Sequence, residues 1–367
     1  MTPTAIAQPA PPRIIQRLSV VDRLLPVWIG AAMALGLLLG RLFPGLGARL
    51  DSVKLDTVSL PIAVGLLWMM YPVLAKVRYG ELHGLRTRGK LFATSLVLNW
   101  IAGPVLMFAL AWVFLPDLPH YRTGLVLIGL ARCIAMVLIW NDLAKGDRDR
   151  AAVLVVFNAV FQVAAYSLLG YFYLTVLPGW LGLDTQGFEV GIWEVARTVL
   201  IFLGIPLTAG YLTRRIALER KGRDWYDRRF LPRIGPVTLY GLLFTIVLLF
   251  AIQGDTITSQ PLDVAMIAVP LLVYFAGMWV AGFVIGKLIG FPYAQTASLA
   301  FTVASNDFEL AIAVAVGVFG ATSGQALAGV VGPLIEVPVL VALVYVALWA
   351  RRFWRRDRVA PAEAVTS

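Results

Sequence analysis

Gly129-Leu130-Ala131-Arg132-Cys133-Ile134-Ala135 and Thr302-Val303-Ala304-Ser305-Asn306-Asp307-Phe308-Glu309 are polar interruptions in the middle of two apolar stretches, each long enough to cross a bilayer. An unsatisfied backbone group or a charge held away from water at that depth is costly, so residues kept there are functional suspects. The two runs supply complementary chemistry. The first holds the only cysteine of the chain beside an arginine, and the second holds two carboxylates beside an asparagine.

The surroundings set the class. Apolar residues make up 59% of the chain and charged residues 14%, with a mean hydropathy of +0.81, so an all-α polytopic membrane protein is expected. The apolar runs are unbroken, unlike the alternating short strands of a membrane barrel. A span with its loop takes roughly 30 to 35 residues, which leaves room for about ten. They fall near 25–43, 57–76, 91–115, 122–143, 151–177, 194–213, 233–252, 263–286, 293–318 and 326–350. Residues 1–24, with Pro3, Pro9, Pro11 and Pro12 and no apolar run, read as a disordered cytoplasmic tail without a signal peptide, and 351–367 as a basic cytoplasmic tail.

The net charge of +10 lies in loops between apolar spans, which indicates orientation in a lipid bilayer and not nucleic-acid binding. Sorting Lys and Arg by alternate loops, with 214–233 as a long basic loop, puts 25 on the side of both termini and five on the other. Both termini are therefore expected in the cytoplasm. Arg132 alone remains inside the membrane. A single cysteine excludes an internal disulfide and any CxxC metal site, and no cofactor is expected.

Dividing the chain at an external linker, 178–193, gives five spans in 25–177 and five in 194–350. An odd number per half forces the halves into opposite orientations, the inverted repeat of many secondary carriers. Pro61 with Gly65-Leu66-Leu67 resembles Pro236 with Gly241-Leu242-Leu243, and the 68 residues from Gly65 to Cys133 match the 65 from Gly241 to Asn306. The two interruptions thus occupy equivalent places, where such carriers break their helices and bind substrate.

Each suspect has two readings. Cys133 is either a small buried hydrophobe or, with the Arg132 cation favouring the thiolate, a nucleophile and soft-metal ligand. Glu309 either neutralises Arg132 across the bundle or takes up and releases a proton in a poorly hydrated cavity. Asp307 either shares that proton or caps the second half-helix. Glu336, between Pro333 and Pro338, is either exposed to a cavity by a kink or structural. Asn158 and Gln162, one turn apart, read as helix-to-helix glue or as path lining. Trp140-Asn141-Asp142 reads as chemistry of the membrane boundary.

These residues carry a family resemblance. Gly129-Leu130-Ala131-Arg132-Cys133 continuing to Gly146-Asp147, the run Phe301 to Ala315, and Gly332-Pro333-Leu334-Ile335-Glu336-Val337-Pro338 resemble the signatures of the arsenite efflux permeases, the third arsenical-resistance type, in the bile acid/arsenite/riboflavin transporter superfamily. The resemblance covers nearly the whole chain. It implies ten helices with broken, crossing fourth and ninth helices, and a cysteine and a glutamate needed for transport. Asp307 stands where the family pattern has a second asparagine, so Asp307 and Glu336 join Glu309 as candidates to carry the proton.

The implied activity is proton-coupled export of arsenite, with antimonite as a second candidate cargo. Trivalent arsenic is thiophilic and its hydroxide is neutral near pH 7, so one thiolate with oxygen neighbours such as Ser305, Asn306 or Glu309 suits reversible binding, with Arg132 nearby. Two other functions compete. A sodium-coupled carrier of organic anions would use Arg132 toward a substrate carboxylate. A membrane-embedded cysteine enzyme needs a base near Cys133, and the only histidines, His83 and His120, are expected in loops on opposite sides.

Overall fold

The structure is a computed structural model that describes residues 24–43, 45–46, 54–55, 58–77, 89–134, 136–183, 191–259 and 261–354. The expected amino-terminal tail up to residue 23, residues 184–190 of the expected linker, the loop holding His83 and the tail beyond Trp354 lie outside the described residues.

The chain is helical: α1 (Leu25–Leu42), α2 (Leu60–Lys76), α3 (Gly89–Phe114), α4 (Pro119–Leu130), α5 (Met136–Leu143), α6 (Arg148–Trp180), α7 (Ile192–Val199), α8 (Ile205–Trp225), α9 (Leu231–Ser259), α10 (Pro261–Ile289), α11 (Tyr293–Ala304), α12 (Phe308–Phe319) and α13 (Gly324–Ala350). The described residues include one two-stranded sheet, a hairpin pairing β1 (Lys54–Leu55) with β2 (Val58–Ser59) ahead of α2. Five stretches among the described residues are long and apolar enough to cross a membrane: Gly89–Phe114, Arg148–Trp180, Ile192–Ile252, Leu262–Ile289 and Gly324–Phe353. Val27–Leu42, Leu60–Lys76 and Phe308–Phe319 are apolar but shorter.

One expectation needs correction. The stretch 214–233 is not a loop, because α8 runs on to Trp225 and joins α9 through a π turn, Tyr226–Phe230. Charge alone marks it as outside the lipid, yet Arg, Lys, Glu and Ala are strong helix formers. Pairs one turn apart, Arg215 with Glu219 at 3.2 Å and Arg223 with Asp227 at 3.7 Å, support the helix. Gly222, at φ 80°, marks its kink.

Four π turns share one cause. Leu98–Ala102, Phe172–Val176, Leu200–Gly204 and Tyr226–Phe230 precede Pro104, Pro178, Pro206 and Pro232 by the same spacing. A proline has no N–H and its ring collides with the carbonyl four residues back. The residue before each proline donates five back instead: Gly103 to Leu98, Leu177 to Phe172, Ile205 to Leu200 and Leu231 to Tyr226. Each helix is thereby widened for one turn and continues.

Packing separates α1, α2, α8 and α9 from a larger group built on α10, α11 and α13, with α3, α4, α6 and α12 around them. Small residues set the close approaches in the first group. A Cβ on Gly36 or Gly40 of α1 would come within 2.6 and 2.5 Å of the α9 backbone oxygens of Val247 and Ala251. A Cβ on Gly241 of α9 would fall 2.8 Å from Met69 N and 3.0 Å from the Gly65 oxygen of α2, and one on Gly65 would fall 2.5 Å from Thr245 Oγ1.

Candidate functional site

The fourth and ninth expected spans are both broken, and their breaks meet. Ala131 ends α4 with φ −83° and ψ 121°, and Ser305 ends α11 with φ −99° and ψ 139°, both extended. The extended segments pair antiparallel through Arg132 and Asn306. Cys133 N–H donates to the Ser305 oxygen at 3.3 Å, and Asp307 N–H to the Ala131 oxygen at 3.2 Å. Two strand-like hydrogen bonds thus replace part of what the helices lose by unwinding.

Side chains satisfy the rest. The Asn306 amide nitrogen donates to the Ile128 and Ala131 oxygens at 2.7 and 3.0 Å, covering the open carbonyl end of α4. Arg132 N–H donates to Gln162 Oε1 at 2.6 Å, and Tyr166 Oη to the Leu127 oxygen at 2.8 Å, both from α6. From α13, Glu336 Oε1 accepts Ser305 Oγ at 2.6 Å and Asn306 N–H at 3.2 Å. The new half-helices are capped alike. Asp307 Oδ1 accepts Leu310 N–H at 3.0 Å at the start of α12, and Cys133 Sγ accepts Val137 N–H at 3.4 Å at the start of α5. A helix amino terminus directed at the sulfur stabilises negative charge there.

A cavity of about 310 Å³ opens beside the crossing. Cys133, Asn306, Asp307, Glu309 and Glu336 line it from the larger group, and Met70, Lys76 and Thr238 from α2 and α9. Glu309 is half-buried, while Cys133 and Glu336 are each 4% exposed. The cavity therefore brings the sulfur and the three carboxyls to one space.

Two of the expected site residues stand behind its wall. Arg132 and Ser305 are fully buried and are not among the lining residues. Successive residues of an extended segment project to opposite sides, so Cys133 and Arg132 cannot both face the cavity. The Arg132 guanidinium instead donates to Tyr274 Oη of α10 at 2.9 Å, beside Gly103 of α3. Among the described residues it makes no ion pair, and its Nε and Nη2 have no hydrogen-bond partner. The Arg132–Glu309 pair is thus not formed in this conformation.

Sequence reasoning did not find Tyr166, Tyr274 or Thr238, which sit inside apolar helix runs that give no local signal. Gln162 was visible as polar, but not its partner. His120 lies in the first turn of α4 instead of a loop, and it is exposed.

An apolar helical assembly with two helices broken at one crossing, its unwound backbone covered by protein or facing a cavity, defines a multi-pass membrane protein of the transporter class. A family model described as the Sodium Bile acid symporter family matches residues 63–260. The arsenical-resistance protein Acr3 of Corynebacterium glutamicum is 55% identical over 349 residues, covering 95% of this chain and 94% of that protein. Acr3 of Alkaliphilus metalliredigens is 32% identical, covering 91% and 94%, and an uncharacterized transporter of Synechocystis is 34% identical, covering 93% and 91%. The chain belongs to the Acr3 arsenical-resistance family.

Proposed function

We propose that the protein exports arsenite from the cytoplasm in exchange for protons and so confers arsenic resistance. One observation carries the reading: the only thiol of the chain shares a cavity with Asp307, Glu309 and Glu336. The Acr3 names of two relatives support arsenite as cargo. Arsenous acid condenses with the Cys133 thiol, forming a sulfur–arsenic bond and releasing one hydroxyl with the thiol proton as water. Hydrolysis reverses the step. Asn306 and the carboxyls accept hydrogen bonds from the remaining hydroxyls, and Ser305 and Arg132 hold the crossing from behind. A single sulfur keeps the complex reversible, as a carrier requires.

The architecture in this reading is ten crossings in two inverted repeats, 25–177 and 194–350, with both termini in the cytoplasm. The matching of Pro61 and Gly65-Leu66-Leu67 with Pro236 and Gly241-Leu242-Leu243 supports it, as does the packing of the two helices that carry these runs against each other. Rocking of α1, α2, α8 and α9 against the other helices opens the site to alternate sides. A proton arriving on Glu309 from outside weakens the site and releases the metalloid, with Asp307 and Glu336 as the other candidate carriers. Proton and arsenite compete for overlapping groups, since a ligand shifts a two-state equilibrium only by its differential affinity.

The test is arsenite accumulation by cells lacking other exporters. Expression of the protein should lower it, and equal accumulation with and without the protein overturns the proposal. The family-model description favours one alternative, a sodium-coupled carrier of organic anions. It would use Arg132 toward the substrate carboxylate, and Arg132 stands outside the cavity lining, where Lys76 is the cation present. Arsenite uptake into everted vesicles that proceeds without sodium separates the two.

A further inference from the structure

The cavity holding Cys133 adjoins a second one of about 240 Å³, whose lining includes Arg148, Asp149 and Asp227. Lys76, Ile134 and Leu138 line both and so stand at their boundary, the neck of any passage between them. Lys76 is the last residue of α2 and is exposed, as a mouth residue must be. Its side chain reaches across to α9, where Nζ would lie 3.4 Å from a Cβ on Gly235, itself a lining residue of the inner cavity. The ammonium therefore sits on the wall of the same cavity as Asp307, Glu309 and Glu336. Of the described residues lining that cavity, Lys76 alone is cationic.

A cleft lined by carboxyls concentrates small cations from the adjoining solution. Sodium and potassium in the cytoplasm would occupy such a cavity and compete with protons for its oxygens. We infer that Lys76 is a selectivity residue: its tethered ammonium at the neck repels free monovalent cations from the acidic cavity, while a neutral metalloid hydroxide passes. The inference rests on the neutral cargo and the orientation of the proposed function, yet it can be tested without transport.

Cys133 is the only thiol in the chain and lies on the inner cavity, so its reaction rate reports what comes through the neck. The experiment uses full-length protein in everted vesicles and compares cationic, neutral and anionic methanethiosulfonates of similar size. From Coulomb interaction screened by solvent and salt, Lys76→Gln should raise the cationic-to-neutral rate ratio about threefold and Lys76→Glu about tenfold. The anionic-to-neutral ratio should fall by similar factors, and Lys76→Arg should leave both ratios as in the wild type. Unchanged ratios in Lys76→Glu overturn the inference. So does a Cys133 that reacts with none of the reagents, since the neck is then not an open route. Protection of Cys133 by arsenite is read in the same vesicles. Shifted charge ratios without protection uphold the neck and overturn the arsenite reading instead.

Discussion

At the scale of single residues, the site separates groups that face the cavity from groups that hold the crossing. Cys133 does both, lining the cavity and accepting Val137 N–H. Serine retains a cap acceptor of nearly the same shape, so Cys133→Ser should reach the membrane at wild-type level yet lose about tenfold or more in arsenite export. Near-normal export by a well-expressed Cys133→Ser protein would end the single-thiolate mechanism. Glu309 makes the complementary case. Arg132 donates to Tyr274 and pairs with no described carboxylate, so Glu309→Gln strands no buried cation. Its level in membranes should match wild type while export driven by a pH gradient is lost. Loss of protein in Glu309→Gln, restored by adding Arg132→Gln, would mean that a structural ion pair forms in another conformation and that the proton travels elsewhere.

At the scale of elements, the breaks persist because each half-helix end finds a partner. Asp307 caps α12 through Oδ1, a role that asparagine also performs. Asp307→Ala should therefore destabilise the protein by about 1 kcal/mol and Asp307→Asn by clearly less. Thermal melting of the detergent-purified variants measures the difference, and equal losses would show that charge and not capping is what Asp307 supplies. The same break depends on a close approach from α13. A methyl group on Gly332 would overlap the Phe308 ring, so Gly332→Ala should cost about 1 to 3 kcal/mol through overpacking. Phe308→Leu in the same chain should recover part of that loss, and no recovery would place the strain outside this contact.

At the scale of the whole molecule, the uneven distribution of Lys and Arg predicts which ends face the cytoplasm. Leu181 and Leu262 are exposed and belong to the side expected outside, whereas Glu219 is exposed on the basic helix α8. In a Cys133→Ser background, Leu181→Cys and Leu262→Cys should react with a membrane-impermeant thiol reagent in intact cells. Glu219→Cys should react only after permeabilisation. The opposite pattern would reverse the orientation and the direction of proton flow with it.

The sequence by itself determined the membrane class, the apolar helical character of the chain and the two points where a pair of helices breaks. These follow from a local free energy, the cost of polar groups in lipid, which is read from residue types along the chain. It also offered capping as one role for Asp307, because a cap is a local bond. Only the tertiary structure decided that Cys133 faces the cavity while its neighbour Arg132 turns to Tyr274. Helical spacing would set the two about 100° apart, and the extended crossing sets them on opposite sides. The partners of Ser305 on α13, of Arg132 on α6 and α10, and of Asn306 on α4 were likewise invisible beforehand. Each joins a polar atom to a group 30 to 178 residues away, and such a pairing depends on how whole helices cross, which no local propensity encodes.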